Sequence, residues 1–106
     1  MASDKKVVLV TGGNTGLGLE VVKALYASSL PYQIIIGCRT VAKGESAIAS
    51  LTHQILESTS QLSTVQLDTS QDSSIETAVQ DIESRFGRLD VLVNNAGGLH
   101  ALLPER

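Results

Sequence analysis

A chain of 106 residues, 42% apolar and 18% charged, can bury one small core and is too apolar to stay disordered. A net charge of −3 and only three aromatic residues, Tyr26, Tyr32 and Phe86, argue against nucleic-acid coating, which needs basic surface and stacking platforms. A single cysteine, Cys38, excludes an internal disulfide and a Cys-rich zinc site, and no apolar run nears the ~18 residues of a membrane span.

The apolar stretch Val7–Val10 is β-branched and without polar alternation, which predicts a strand buried on both faces. It is too short for the apolar part of a signal peptide, so the chain is expected in the cytoplasm. A Gly-rich turn covers Thr11 to Gly18. Leu17, Val21, Val22, Leu25 and Tyr26 then recur at helical spacing, with a stop near Ser29 ahead of Pro31. A second buried strand runs Gln33–Gly37. A second helix is expected from Val41 to about Glu57, marked by Ala47, Ile48, Leu51 and Ile55.

Ser63–Leu67 reads as a third strand, less uniformly apolar and therefore a candidate edge. Ile75, Ala78, Val79, Ile82 and Phe86 then form the clearest amphipathic helix. Ser73 with Glu76 is a candidate capping box, and Gly87 a candidate C-cap. Leu89–Val93 is the fourth strand, and residues 98–106 form an irregular tail. The fold class is α/β, with the order β-α-β-α-β-α-β. Helical crossovers make the strands parallel, which yields a three-layer, incomplete half of a doubly wound sheet within a single domain over residues 1–106. The first two helices should cover one face and the third the other. One helix cannot cover four strands, so apolar surface stays exposed, and Val91, Leu92 and Val93 form an open edge suited to self-association. A marginally stable or partner-dependent chain is expected.

The densest chemical signal is Thr11-Gly12-Gly13-Asn14-Thr15-Gly16-Leu17-Gly18, between a buried strand and a helix. Glycines there let backbone approach a phosphate, and the helix offers unpaired N–H groups and its positive dipole end. A Walker loop is excluded because Leu19-Glu20, not Lys-Ser/Thr, follows Gly18. The plain G-x-G-x-x-G spacing is not met either.

This Thr-Gly-x3-Gly-x-Gly turn, taken with Asn94-Asn95-Ala96-Gly97 after the fourth strand, resembles the short-chain dehydrogenases/reductases, whose fold is Rossmann-like. The resemblance extends from about Lys6 to Gly97. It implies a dinucleotide held by Gly12, Asn14, Thr15, Gly16, Leu17 and Gly18, with Asn95, Ala96 and Gly97 passing beside it and Asn94 bracing the sheet. It also implies that Asp68, with Thr69 beside it, contacts the adenine ring. An ordinary loop or cap aspartate is the competing explanation for Asp68.

The loop after the second strand decides between the two dinucleotides. An acid about 20 residues beyond the turn would hold the ribose 2′-OH of NAD, and an arginine there suits the 2′-phosphate of NADP. No acid lies between Glu20 and Glu45, and Arg39 occupies the loop, so NADP(H) is preferred. A solvated loop cation is the bland alternative for Arg39. Lys43 could add positive charge or simply face solvent.

The family's chemistry uses a Ser and a Tyr-x3-Lys. The lysines here are Lys5, Lys6, Lys23 and Lys43, preceded at the tyrosine position by Met1, Ala2, Leu19 and Arg39. The chain therefore carries the family's cofactor half, and no catalytic residue is assigned. His53 and His100 have no ligand spacing, so no metal site is assigned. Hydride exchange with a small carbonyl or alcohol is expected only together with a catalytic half. The alternatives are a truncated product without activity and a non-catalytic dinucleotide-sensing or protein-interaction module.

Overall fold

A computed structural model describes residues 5–95. Four parallel strands alternate with three helices: β1 (Lys6–Thr11), α1 (Gly16–Ala27), β2 (Tyr32–Cys38), α2 (Val41–Gln54), β3 (Gln61–Gln66), α3 (Asp72–Phe86) and β4 (Val91–Val93). The sheet order is β3-β2-β1-β4, Rossmann-like, with Val8 opposite both Ile34 and Val91. The two central strands are those with uninterrupted, mostly β-branched apolar runs, and the more polar β3 takes an edge as expected.

Alternation along the strands splits the core into two layers. Val8, Val10, Ile34 and Ile36 pack beneath Val22 and Tyr26 of α1 and Leu51 of α2. Val7, Leu9 and Ile35 meet Ala78 and Ile82 of α3 on the opposite face. Ile34, Ile35, Ile36, Val10 and Val22 are completely buried. Each such side chain contributes about 1.5–3 kcal/mol of transfer free energy, so the sheet interior carries most of the stability.

Several boundaries differ from the sequence expectation, each for a specific reason. The capping box at Ser73 and Glu76 does not form, because α3 begins at Asp72 and places Ser73 inside the helix. Gln71 is the N-cap and makes no side-chain cap bond. The neighbouring Ser74 hydroxyl instead accepts the Asp68 N–H at 2.8 Å. Gly87 does end the helix, at φ 82°, with its N–H on the Glu83 carbonyl. Helix α2 stops at Gln54 rather than near Glu57, and Ser58 beyond it donates to the Tyr26 carbonyl at 2.6 Å. Strand β3 starts two residues early, after Ser60 accepts the Tyr32 N–H and ties the two strand starts together. Strand β4 is shorter than expected: the Asp90 N–H still donates to the Val7 carbonyl at 2.9 Å, but the Val7 N–H goes to the Asp90 carboxylate at 2.7 Å instead of to a backbone carbonyl of the fourth strand.

The apolar stripe of α3 is only half used. Ala78 and Ile82 are buried, but Ile75 and Val79 remain 38% and 40% exposed because no further layer lies against them among the described residues. On β4, Leu92 and Val91 are exposed as expected, whereas Val93 packs partly against the α1 and α2 layer. Leu17, counted on the packing face of α1, is 68% exposed. Among the described residues no helix is long and apolar enough to cross a membrane.

Candidate functional site

The sheet's parallel strands bring the ends of β1, β2 and β4 to one edge. There the Gly12 N–H donates to the Gly37 carbonyl at 2.8 Å, so the glycine turn rises directly from the β1–β2 pair. Gly12 and Gly16 adopt φ of 63° and 58°, a left-handed conformation that side chains with a Cβ resist. Gly18 serves a different need. A Cβ there would collide with the Gly12 carbonyl oxygen and lie 2.8 Å from Asn95 Nδ2, so α1 can meet the turn only through glycine.

Beside this turn opens a cleft of about 810 Å³. Of the residues singled out in the sequence, Gly12, Asn14, Thr15, Arg39, Asp68, Thr69 and Asn95 line it. Gly16, Leu17 and Gly18 do not: Gly16 and Gly18 shape the turn, and Leu17 is turned out to solvent. Asn94 adjoins the cleft, its Oδ1 accepting the Thr11 hydroxyl at 3.1 Å. Ala96, Gly97 and His100 lie outside the described residues. His53 is exposed on α2 and does not line the cleft.

The side chains at the cleft are held by short local bonds. Asp68 Oδ1 accepts both the Ser70 hydroxyl, at 2.6 Å, and the Ser70 N–H, at 3.0 Å. These bonds, led by the hydroxyl, hold the carboxyl below its ordinary range, with a smaller contribution from the nearby Arg39 charge. Cys38 is buried, which pushes its thiol pKa up. The thiol is thus protonated and unreactive at neutral pH. Among the described residues no cluster of three His, Cys, Asp or Glu could hold a metal ion. A second, more open groove of about 850 Å³ runs between β3 and α3 and shares Arg39 and Asp68, but it lacks the glycine turn.

Two contributors were not assigned from sequence. Thr11 accepts the Asn95 N–H at 2.8 Å and so fixes the chain after β4 against the end of β1. Its place at the head of the glycine motif was the available signal. Gly13 sits where a Cβ would lie 3.0 Å from the Val10 carbonyl and 3.2–3.3 Å from Val22 and Ile36, so it lets the turn settle on the core.

The family model for short chain dehydrogenases matches residues 6–105. The chain belongs to the short-chain dehydrogenase/reductase family. A curated family member, the short-chain dehydrogenase/reductase tropE of Talaromyces stipitatus, is 46% identical over 95 residues, covering 90% of this chain and 36% of that protein. The chain thus spans about a third of the length of the curated family members it matches. Among solved structures, menthone neomenthol reductase from Mentha piperita superposes with a TM-score of 0.78 at 35% identity, over 90% of this chain and 32% of that one. YwfH, an NADPH-dependent reductase involved in bacilysin biosynthesis, gives a TM-score of 0.76 at 28% identity, over 90% and 36%.

Proposed function

We propose that residues 1–106 form the dinucleotide-binding unit of a short-chain dehydrogenase/reductase, that the cofactor is NADP(H), and that the reaction is reversible hydride transfer at a carbonyl or alcohol carbon. The residues present fit a dinucleotide. A turn with two left-handed glycines borders the cleft, and Gly18 leaves no room for a side chain where α1 approaches it. The N–H groups at the start of α1 suit a pyrophosphate. Asp68 uses one oxygen on Ser70, and its other oxygen is suited to a donor such as the adenine amino group.

Arg39 carries the choice of cofactor. It lines the cleft at the end of β2, where an NAD-selecting acid would otherwise stand. A guanidinium offers paired N–H donors to a 2′-phosphate, and Lys43 lines the same cleft. The likeness to an NADPH-dependent reductase supports the same choice. When bound, the nicotinamide supplies or accepts the hydride. This chain's own residues bind and orient: the turn receives the phosphates, Arg39 and Lys43 the 2′-phosphate, and Thr69 and Asn95 border the path between. By the family pattern, Ala96 and Gly97 would also pass beside the cofactor. A cytoplasmic setting accords with a single free thiol, which a reducing compartment preserves.

Titration of the purified chain with NADPH and NADH tests the assignment. NADPH should bind at least about tenfold more tightly, one charge-assisted phosphate contact being worth that much, and Arg39→Ala should erase the difference. Equal affinity for both cofactors, or a preference for NADH, would refute the role of Arg39. No binding of either would refute the dinucleotide assignment altogether.

A further inference from the structure

Gly44, in the first turn of α2, is buried and has no positive φ, so its backbone conformation does not require glycine. Glycine inside a helix is costly, and some other demand must favour it. A Cβ at this position would lie 2.7 Å from Cys38 Sγ and 2.8 Å from Thr64 Cγ2. The start of α2 is therefore seated directly on the end of β2 and the middle of β3, closer than any side chain permits. Thr64 is β-branched and stiff in its strand, so it cannot readily swing aside.

The same corner is drawn together by hydrogen bonds. The Thr40 carbonyl accepts the Cys38 thiol at 3.3 Å, the Lys43 N–H at 3.0 Å and the Gly44 N–H at 3.4 Å. The Thr40 side chain makes no cap bond, so the carbonyl is what anchors the helix start. From β3, Gln66 Nε2 donates to the Arg39 carbonyl at 3.3 Å. Arg39 and Lys43, the two cations at the cleft, are thus the chain neighbours of Cys38 and Gly44 respectively.

We propose that Gly44 and Cys38 are positioning residues for cofactor selection: their close packing against Thr64 sets where Arg39 and Lys43 stand relative to a 2′-phosphate. The inference rests on the NADP(H) assignment above. Any group added at Gly44 lifts the first turn of α2 off the sheet and carries both cations with it. A displacement of an ångström is enough to spoil paired hydrogen bonds to a phosphate oxygen. The glycine turn is not among the groups that such a Cβ would strike.

Dissociation constants for NADPH and NADH, measured on the unaltered chain and on three variants, test this. Gly44→Ala should weaken NADPH about tenfold while NADH changes less than about twofold. Adding Thr64→Ser and Cys38→Ser to Gly44→Ala removes the Thr64 methyl and shrinks the sulfur to an oxygen that still donates to Thr40. This triple variant should recover most of the NADPH affinity. Cys38→Ala creates no clash and keeps the test available if Gly44→Ala does not fold by circular dichroism; it should weaken NADPH about threefold and leave NADH unchanged. Equal loss for both cofactors, an unchanged ratio, or no recovery in the triple variant would overturn the proposal. If the unaltered chain shows no preference for NADPH, the NADP(H) assignment itself fails. If it shows one that Gly44→Ala and Cys38→Ala leave intact, only the positioning role fails.

Discussion

The hydroxyl of Thr11 accepts the backbone N–H of Asn95 at 2.8 Å, joining the end of β1 to the chain after β4 across 84 residues of sequence. The same hydroxyl donates to Asn94 Oδ1, so one small side chain satisfies both a donor and an acceptor where the glycine turn begins. Thr11→Val keeps the shape and removes both bonds, leaving a part-buried N–H without its partner. Stability should fall by about 1 kcal/mol or somewhat more, whereas Thr11→Ser should stay close to the parent. Urea unfolding of the three proteins measures the difference, and equal midpoints for Val and Ser would contradict it.

Gly18→Ala should act on both cofactors alike. Its Cβ would strike the Gly12 carbonyl, which is backbone and cannot rotate away, so the whole turn must shift. NADPH and NADH should each lose about tenfold or more in affinity, without change in their ratio. Isothermal titration separates this uniform loss from the selective loss expected at Gly44.

Asp90 ties the start of β4 to β1 through its bond from the Val7 N–H, and it pairs with Arg88 at 2.8 Å. The Val7 N–H, followed by Arg88, lowers the folded-state carboxyl below its ordinary value of 3.8. A lowered folded pKa means that the ionised form stabilises the fold. That contribution is complete above the unfolded value near pH 4 and is lost as pH falls through the folded one. Denaturation midpoints followed from pH 6 down to pH 2 should therefore drop more steeply for the parent than for Asp90→Asn. Parallel curves would remove Asp90 from the account.

Leu92 lies on the edge strand with 55% of its surface exposed, paired in register with Leu9, which belongs to the layer packed against α3. An apolar edge of this kind invites strand-to-strand association. Leu92→Lys should reduce concentration-dependent light scattering of the chain without lowering its unfolding midpoint, since little buried area is lost. Unchanged scattering would show that association, if present, uses another surface.

Residues with a local signature were legible without coordinates. The β-branched runs predicted β1 and β2 and their burial, because an unbroken apolar strand fits only a sheet covered on both faces. The alternation of strands and helices predicted parallel pairing and the division of helices between the faces. The glycine turn and Arg39 were visible as residue types at a spacing, and both line or border the same cleft. The start of α3 was misplaced because Ser73 matches a cap motif that Gln71 and Asp72 pre-empt, and no local rule distinguishes the two. Ile75 and Val79 matched the helical period, yet the period says which face is apolar and not whether anything covers it.

Sequence by itself determined which residues could form strands, where the glycine turn lies, and which charge stands at the end of β2. These depend on backbone sterics and side-chain chemistry within a few positions. Only the tertiary structure decided that Thr11 closes on Asn95, that the Asp90 carboxylate takes the Val7 N–H where β4 begins, and that Gly44 must be bare so that α2 can rest on Cys38 and Thr64. Each of those depends on how closely two distant segments approach, a distance set by the packing of the sheet and helices together and carried by no single stretch of chain.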